Sequence, residues 1–321
     1  MKRFAHQLAI AIALAWLPAC VLAQPFPAGP ISMVVPLAPG DAADITARAM
    51  GEEISKQLNT PVLIVNRPGA GGALAANSVV QAKKDGQTLL FAQNSALTFR
   101  VVLDPQSASY DPLRDLVPLG LTTRTPSVLV VKSDAPYKSF AELVDYAKKN
   151  PGKVNIGHPG VGSVGDFCIR LINTLTGAGL VGIPHNGAAP VVAALRGGHI
   201  EGALLALGAL STQMKAGAFR GIVTSSRAPD FAEIPTLGEL GYREDLFGVW
   251  FSLLAPAAIP EAARKALIDA IEQAVKSPAI TARLAPLGIV QAYGSPEQLS
   301  AEIREEFARV KDMASKTSLV K

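Results

Sequence analysis

The chain has 321 residues, of which 49% are hydrophobic and 17% are charged, and its formal net charge is +4. This length is large for a single hydrophobic core and sufficient for two domains of ordinary size. The basic residues are scattered without a run of five, which argues against nucleic acid as a partner.

The first 23 residues have the pattern of a secretory signal peptide. A basic start precedes the apolar run Leu8–Leu17, and Val21-Leu22-Ala23 is a small-residue cleavage pattern. We therefore expect cleavage near Ala23 and an exported, periplasmic mature chain. The alternative is a lipoprotein signal, because Leu17-Pro18-Ala19-Cys20 loosely resembles a lipobox. No later segment has the roughly 18 uninterrupted apolar residues of a membrane-spanning helix.

Strands and helices alternate in the next part of the chain. Ile31–Pro36 has the apolar, β-branched composition of a strand, and Pro61–Val65 and Thr88–Ala92 are further predicted strands. Between the first two, apolar residues recur at spacings of three and four and predict a one-sided helix: Ala43, Ala47, Met50, Ile54 and Leu58. Strands separated by helices indicate right-handed βαβ units on a parallel sheet.

The same alternation restarts after residue 120. Ser139 and Glu142 form a capping-box pattern that begins a helix through Lys149. The other predicted elements are strands at Ser127–Val131, Val154–Gly157, Leu180–Ile183, Ile200–Leu205 and Gly221–Thr224, and helices at Glu261–Ala274 and Pro296–Met313. The pattern predicts a two-domain α/β fold, in which a mainly parallel sheet flanked by helices forms each domain. Domain 1 is predicted to comprise residues 24–122 plus 226–321 and domain 2 residues 123–225, with the chain crossing near 118–126 and 220–228.

Each half contains a Pro/Gly-rich loop that joins a strand to a helix N-terminus, at residues 36–44 and 158–166. Ligands of open parallel sheets lie beyond the carboxyl ends of the strands, and helix N-termini accept carboxylates through unpaired N–H groups. Two such loops closing on a small acid could reach micromolar affinity, about −8 kcal/mol. We therefore predict a ligand cleft between the domains. The alternative is that both loops are only tight connections.

Two other motifs resemble the signatures of other protein classes. Gly69-Ala70-Gly71-Gly72 lies between a strand and a helix, but the dinucleotide fingerprint requires glycine where Leu74 stands, so we interpret it as a structural turn. Val161-Gly162-Ser163-Val164-Gly165 nearly matches the nucleophile elbow, with His158 in the same loop, and a serine hydrolase is therefore the alternative function.

The sequence predicts neither a metal site nor a cofactor. The histidines after the signal, at positions 158, 185 and 199, have no paired spacing, and neither HExxH nor CxxC occurs. Cys168 is the one cysteine left after removal of the signal, and we expect a buried, inert thiol.

Several stretches match one known family in order and with little change of length. They are Ile31 through Arg48, Val65 through Gly72, Asp85 through Leu90, Tyr110 through Asp115, Ile234 through Glu239 and Trp250 through Pro260. Through them the chain resembles the substrate-binding proteins of tripartite tricarboxylate transport systems, the Bug or TctC-type receptors, over about residues 26 to 318.

The resemblance implies a non-enzymatic periplasmic binding protein of type II-like fold. Such a receptor holds a small organic acid between two domains and hands it to membrane permease subunits, and we expect it to be a monomer. The alternative is a ligand sensor for a membrane signalling partner, which would use the same fold. The ligand-binding residues that the resemblance implies are Pro39, Gly40, Asp41 and Asp44, then Asn94 and Ser95 past the third strand, and Gly160, Gly162, Ser163 and Asp166.

This sequence departs from the family pattern at three places. Asp41 replaces the usual second glycine of the first loop, Asp166 replaces a usual histidine, and Ile183-Pro184-His185-Asn186-Gly187 lacks the usual lysine. Two added carboxylates would disfavour a di- or tricarboxylate, so we predict a ligand with a cationic or neutral part, such as an amino acid or a nicotinamide-like compound. The alternative is that Asp41 faces solvent and Asp166 caps its helix.

Overall fold

The computed structural model describes residues 26–316, so the predicted signal peptide lies outside the described residues. The strands are β1 (Ile31–Val35), β2 (Val62–Asn66), β3 (Thr88–Gln93), β4 (Leu116–Thr125), β5 (Ser127–Lys132), β6 (Asn155–His158), β7 (Val181–Pro184), β8 (Gly202–Ala206), β9 (Phe219–Thr224), β10 (Val249–Pro256) and β11 (Val290–Gly294). The α-helices are α1 (Ala42–Leu58), α2 (Ala73–Val80), α3 (Arg100–Leu103), α4 (Phe140–Lys149), α5 (Val164–Thr176), α6 (Ala188–Arg196), α7 (Leu207–Lys215), α8 (Glu261–Val275), α9 (Pro278–Leu284) and α10 (Pro296–Lys316). Among residues 26–316, none of the helices combines the length and the apolar character of a membrane-spanning segment.

The strands form two sheets, which confirms the predicted two-domain α/β class. The six-stranded sheet has the order β11-β4-β10-β3-β1-β2, and the five-stranded sheet has the order β7-β6-β8-β5-β9. We call the first sheet with its helices lobe 1 and the second sheet with its helices lobe 2.

Both sheets are mixed rather than mainly parallel, which corrects that detail of the prediction. In lobe 1, β1 pairs in parallel with β2 and β3, whereas β10 is antiparallel to both β3 and β4. In lobe 2, β6 is parallel to β7 and β8, and β5 is antiparallel to β8 and β9. The antiparallel strands β5 and β10 each enter their sheet from the other lobe and not through a helical crossover, which a parallel neighbour would require.

The chain passes between the lobes at two places. The first crossing lies at Pro126, between β4 and β5. The second lies between β9 and β10. Thr236 still forms a bridge with Thr224 of β9, and the Tyr242 ring packs edge-on against Phe140 of α4 in lobe 2. The segment after β9 therefore stays beside the five-stranded sheet before the chain enters β10 of lobe 1.

Local sequence signals explain the helices that position the loops. The predicted apolar face of α1 is buried at Ala43, Ala47, Met50 and Ile54. In α4, the Ser139 hydroxyl accepts a hydrogen bond from the Glu142 amide, and the Glu142 carboxylate accepts one from the Lys138 amide. This reciprocal arrangement is a variant of the predicted capping box.

An aromatic cluster lies where the two lobes meet. Phe99 precedes α3 in lobe 1, Phe167 belongs to α5 in lobe 2, and Phe247 lies just before β10. The ring centroids are 5.1 to 5.4 Å apart, and all three pairs are edge-to-face. Cys168 packs beside Phe247, and burial raises the pKa of its thiol to about 12. The predicted buried thiol is therefore confirmed.

Candidate functional site

The loop between β1 and α1 is held together by a buried aspartate. The Asp44 carboxylate accepts hydrogen bonds from the Gly40 amide, from the Arg48 guanidinium and from the Asn66 side chain, each at 2.9 Å. Burial raises the pKa of Asp44, but these hydrogen bonds outweigh it and leave the pKa below its ordinary value. Asp44 was predicted to contact ligand; its carboxylate is engaged by these groups of its own lobe, and the ligand contact stays a prediction.

The loop between β6 and α5 repeats this arrangement in lobe 2. Asp166 accepts from the Gly162 amide at 2.9 Å and from the Arg170 guanidinium at 3.0 Å. The Ser163 hydroxyl caps α5 by accepting from the Asp166 amide at 3.2 Å. The two loops thus share one pattern at identical spacing: a glycine, a capping residue, an aspartate and an arginine. These residues are Gly40, Asp41, Asp44 and Arg48 in the first loop and Gly162, Ser163, Asp166 and Arg170 in the second.

The repeated pattern changes the chemistry expected of both loops. Each helix N-terminus was predicted to offer unpaired amides to a ligand, yet the chain's own side chains already accept from several of them. Asp166 secures the N-terminus of its helix, as the alternative interpretation expects, and a ligand contact of Asp166 stays a prediction.

Asp41 makes a contact that neither sequence alternative describes. It caps α1 through Oδ1, which accepts from the Ala43 amide at 3.2 Å, and its Oδ2 accepts from the Ala188 amide of lobe 2 at 3.2 Å. The residue is 7% exposed, so the reading in which it faces solvent is wrong. Burial raises the pKa of Asp41, and the hydrogen bonds from Ala43 and Ala188 oppose this without reversing it.

A cleft of about 340 Å³ lies between the lobes. Its lining residues are Pro36, Leu37, Pro68, Gly69, Ala70, Gly71, Gly72, Arg100, Pro159, Gly160, Val161, Pro184, His185, Asn186 and Gly187. Of the ten predicted ligand-binding residues, only Gly160 belongs to this lining.

The second loop closes one side of the cleft against lobe 1. The Arg100 guanidinium, 7% exposed as a residue, donates to the Val161 carbonyl at 2.8 Å. A Cβ atom placed on Gly71 would lie 3.1 Å from the Val161 oxygen and 3.3 Å from the Gly162 oxygen. Because Gly71 also has φ +59°, a side chain at this position is disfavoured on both counts. A glycine at position 71 therefore lets the backbones of the two lobes approach this closely without strain.

The remaining predicted residues lie around the cleft rather than in it. Pro39 and Gly40 are exposed on the first loop. Ser95 is buried, and its hydroxyl donates to the Gly71 carbonyl at 3.2 Å. Asn94 is fully buried and donates to the Gly248 carbonyl at 3.1 Å. Ser95 therefore supports the Gly69–Gly72 turn, and that turn is what reaches the cleft.

Sequence reasoning missed most of the cleft lining. We interpreted the Gly69–Gly72 turn as structural and did not select Arg100 or the segment 184–187. The turn lies in a motif through which the chain resembles its family, and the segment 184–187 lies where this sequence departs from a family motif; these were the available signals. No sequence signal pointed to Arg100, because its place in the cleft depends on a hydrogen bond to Val161, 61 residues later in the chain.

The nucleophile-elbow resemblance is not accompanied by hydrolase geometry. Ser163 is buried, and its hydroxyl caps α5. His158 Nδ1 lies 3.0 Å from the Gly160 carbonyl, and its Nε2 lies 4.0 Å from Asp166. Burial lowers the pKa of His158 although Asp166 opposes that effect. Within residues 26–316, no hydrogen bond joins Ser163 to His158 as a nucleophile to its base.

Comparison with known proteins identifies the family. Residues 46–319 match the family model described as the tripartite tricarboxylate transporter family receptor. Protein BugT of Bordetella pertussis is 32% identical over 96% of this chain and 95% of BugT.

Two solved structures extend the likeness to the fold. MatC from Rhodopseudomonas palustris with bound malate is 30% identical, with a TM-score of 0.83 over 89% of this chain and 99% of MatC. Periplasmic binding protein BugD is 26% identical, with a TM-score of 0.86 over 92% of this chain and 100% of BugD. The resemblance inferred from the motifs is confirmed: the chain belongs to the tripartite tricarboxylate transporter receptor family, a family of periplasmic solute-binding receptors.

Proposed function

We propose that this protein is a periplasmic receptor that binds a small carboxylate-bearing molecule between its lobes and presents it to the permease subunits of a tripartite transporter. The observation that carries the proposal is the cleft of about 340 Å³, to which both lobes contribute walls. Ligand pockets commonly measure roughly 300–1,000 Å³, so this cleft suits a small metabolite. The malate bound to the related MatC also supports an acid.

The charges around the cleft favour an acid over a cation. Its described lining contains the Arg100 guanidinium and the His185 imidazole and no carboxylate. Arg100 has five N–H groups, and three hydrogen bonds join it to Val161, Asp104 and Ser107. It therefore keeps donors for a ligand carboxylate, and hydrogen bonds to charged groups contribute about 1.5–3 kcal/mol each.

The two carboxylates particular to this sequence do not change that conclusion. Asp166 pairs with Arg170, and Asp41 accepts from main-chain amides, so neither lines the cleft. The expectation that they favour a cationic or neutral ligand loses its geometric basis. An amino acid remains within the proposed class through its carboxylate.

Binding experiments with an arginine variant test the proposal. We expect at least one acid of a panel that includes butyrate and malate to raise the thermal midpoint of the wild type, and Arg100→Met to weaken the binding of that acid roughly tenfold or more. Arg114→Met is the matched control, because Arg114 is exposed and pairs with its neighbour Asp115. Calorimetric titration should show saturable binding with the ligand unchanged. Stabilisation by nicotinamide or an amine but by no acid would contradict the proposal, as would turnover of an ester panel that Ser163→Ala abolishes.

Export is tested on the mature protein. We propose cleavage near Ala23, and intact-mass measurement of the periplasmic fraction should give a chain that starts at residue 24. A lipid-sized mass increment on a chain starting at Cys20 would instead establish the lipoprotein alternative.

A further inference from the structure

Helix α6 of lobe 2 begins without a cap from its own lobe. Its N-cap residue is Gly187, with φ +104° and no side chain to accept from the first amides. The Ala188 amide donates instead to Asp41, 147 residues earlier and in lobe 1. The first amides of a helix require acceptors, and a carboxylate is favoured there by the helix dipole. Asp41 therefore acts as the cap of a helix in the other lobe.

The same carboxylate also caps α1 in its own lobe. Oδ1 accepts from Ala43 and Oδ2 accepts from Ala188, each at 3.2 Å. In the repeated loop pattern, Ser163 occupies the position equivalent to Asp41, and its single hydroxyl caps only α5. A carboxylate has two acceptor oxygens, so the residue type at this position determines whether one helix or two are capped.

The contact lies directly beside the ligand cleft. Gly187 lines the cleft, and Ala188 follows it in α6. The Ala38 methyl group lies 4.0 Å from the position that a Cβ of Gly187 would take, so the first loop is seated on this helix end. At another part of the cleft lining, Arg100 of lobe 1 donates a hydrogen bond to the Val161 carbonyl of lobe 2. Hydrogen bonds within the protein thus join the lobes at two places beside the cleft.

We propose that Asp41 is a specificity-determining residue that joins the two lobes and occupies the N-terminus of α6 with the protein's own carboxylate. It favours the closed arrangement of the lobes, and it keeps a second ligand carboxylate away from this helix end. The cleft then binds an acid through one carboxylate and disfavours a dicarboxylate of the same length. The part on ligand preference rests on the proposed function, whereas the link between the lobes does not.

A distance measurement without ligand tests the link. Spin labels on Gln57→Cys and Arg196→Cys would mark the exposed C-terminal ends of α1 and α6, and Cys168 is buried and stays unlabelled. In the protein that keeps Asp41, we expect a single, short distance between the two labels. Asp41→Ser should shift the open-to-closed ratio about tenfold to a hundredfold toward longer distances, since one charged hydrogen bond is lost.

Matched variants separate the link from simple helix capping. Asp41→Ser keeps a cap for α1, as Ser163 does for α5, and circular dichroism checks that it folds. Asp41→Asn has nearly the same shape without the charge, and Ser163→Ala removes a cap that lies within one lobe. We expect longer distances in the two Asp41 variants and an unchanged distance in Ser163→Ala. An unchanged distance in Asp41→Ser, or an equal change in Ser163→Ala, would overturn the link.

Ligand preference is tested with two four-carbon acids, butyrate and succinate. In the wild type butyrate should bind more tightly, and Asp41→Ser should raise the affinity for succinate relative to butyrate about tenfold. A relative affinity that does not change would overturn the specificity role. If neither acid nor malate binds either protein, the proposed function fails, while the distance measurement still decides the link.

Discussion

Replacing Glu306 by glutamine should remove a pH dependence of stability that the wild type carries. Glu306 lies on α10 and is 7% exposed. Its carboxylate accepts hydrogen bonds from Thr98 at 2.7 Å, Asn94 at 3.0 Å and Trp250 at 3.1 Å. Burial raises its pKa from 4.5 to about 7, although the three donors act in the opposite direction.

The sign of the effect follows from proton linkage. Because the pKa is higher in the folded state, the folded protein binds the proton more tightly than the unfolded chain. The stabilisation from Glu306 is therefore complete below pH 4.5 and is lost as the pH rises through about 7. At about 1.36 kcal/mol per pKa unit, the full loss is roughly 3 kcal/mol of unfolding free energy.

Urea unfolding at a series of pH values measures this contribution. Trp250 is the one tryptophan among residues 26–316, and it donates to Glu306, so its fluorescence reports on this region. The stability difference between Glu306→Gln and wild type should shift in favour of the variant by about 2–3 kcal/mol between about pH 5 and pH 8. Glu305→Gln, at an exposed position on the same helix, controls for the change in net charge. Parallel pH profiles of Glu306→Gln and wild type would refute the reasoning.

Three further predictions concern the lobe contact, the second loop and the buried thiol. Gly71→Ala should hold the lobes apart and weaken ligand binding, because its methyl group would press on the Val161 carbonyl; scattering and calorimetry measure this. Gly152→Ala is the control, since it has a similar positive φ but open space around it, and equal effects in both variants would contradict the account. Asp166→Asn should lower the unfolding free energy by about 1–3 kcal/mol, because a buried charged acceptor of two partners is lost, and an unchanged urea midpoint would count against this. Cys168 should react with a thiol reagent only at the rate of unfolding, so rapid modification of the folded protein would show that it is accessible.

Local patterns were enough to predict the repeated architecture. The alternation of apolar strands with one-sided helices predicted the α/β class, and the capping pattern at Ser139 predicted the start of α4. The two Pro/Gly-rich loops were recognised as counterparts, and both begin helices at which a cap and an aspartate occupy equivalent positions. These features depend on neighbours within a few residues, so the order of residue types is sufficient to reveal them.

The sequence by itself determined the class of fold, the family and the two strand-to-helix loops that repeat one pattern. Only the tertiary structure decided that β4 and β10 run antiparallel, that Asp44 and Asp166 secure their own loops, and that the Gly69–Gly72 turn reaches the cleft. It also joined Asp41 to Ala188 across 147 residues and Arg100 to Val161 across 61. The physical reason is that periodicity shows which face of an element is buried and does not show which distant group will meet a given side chain.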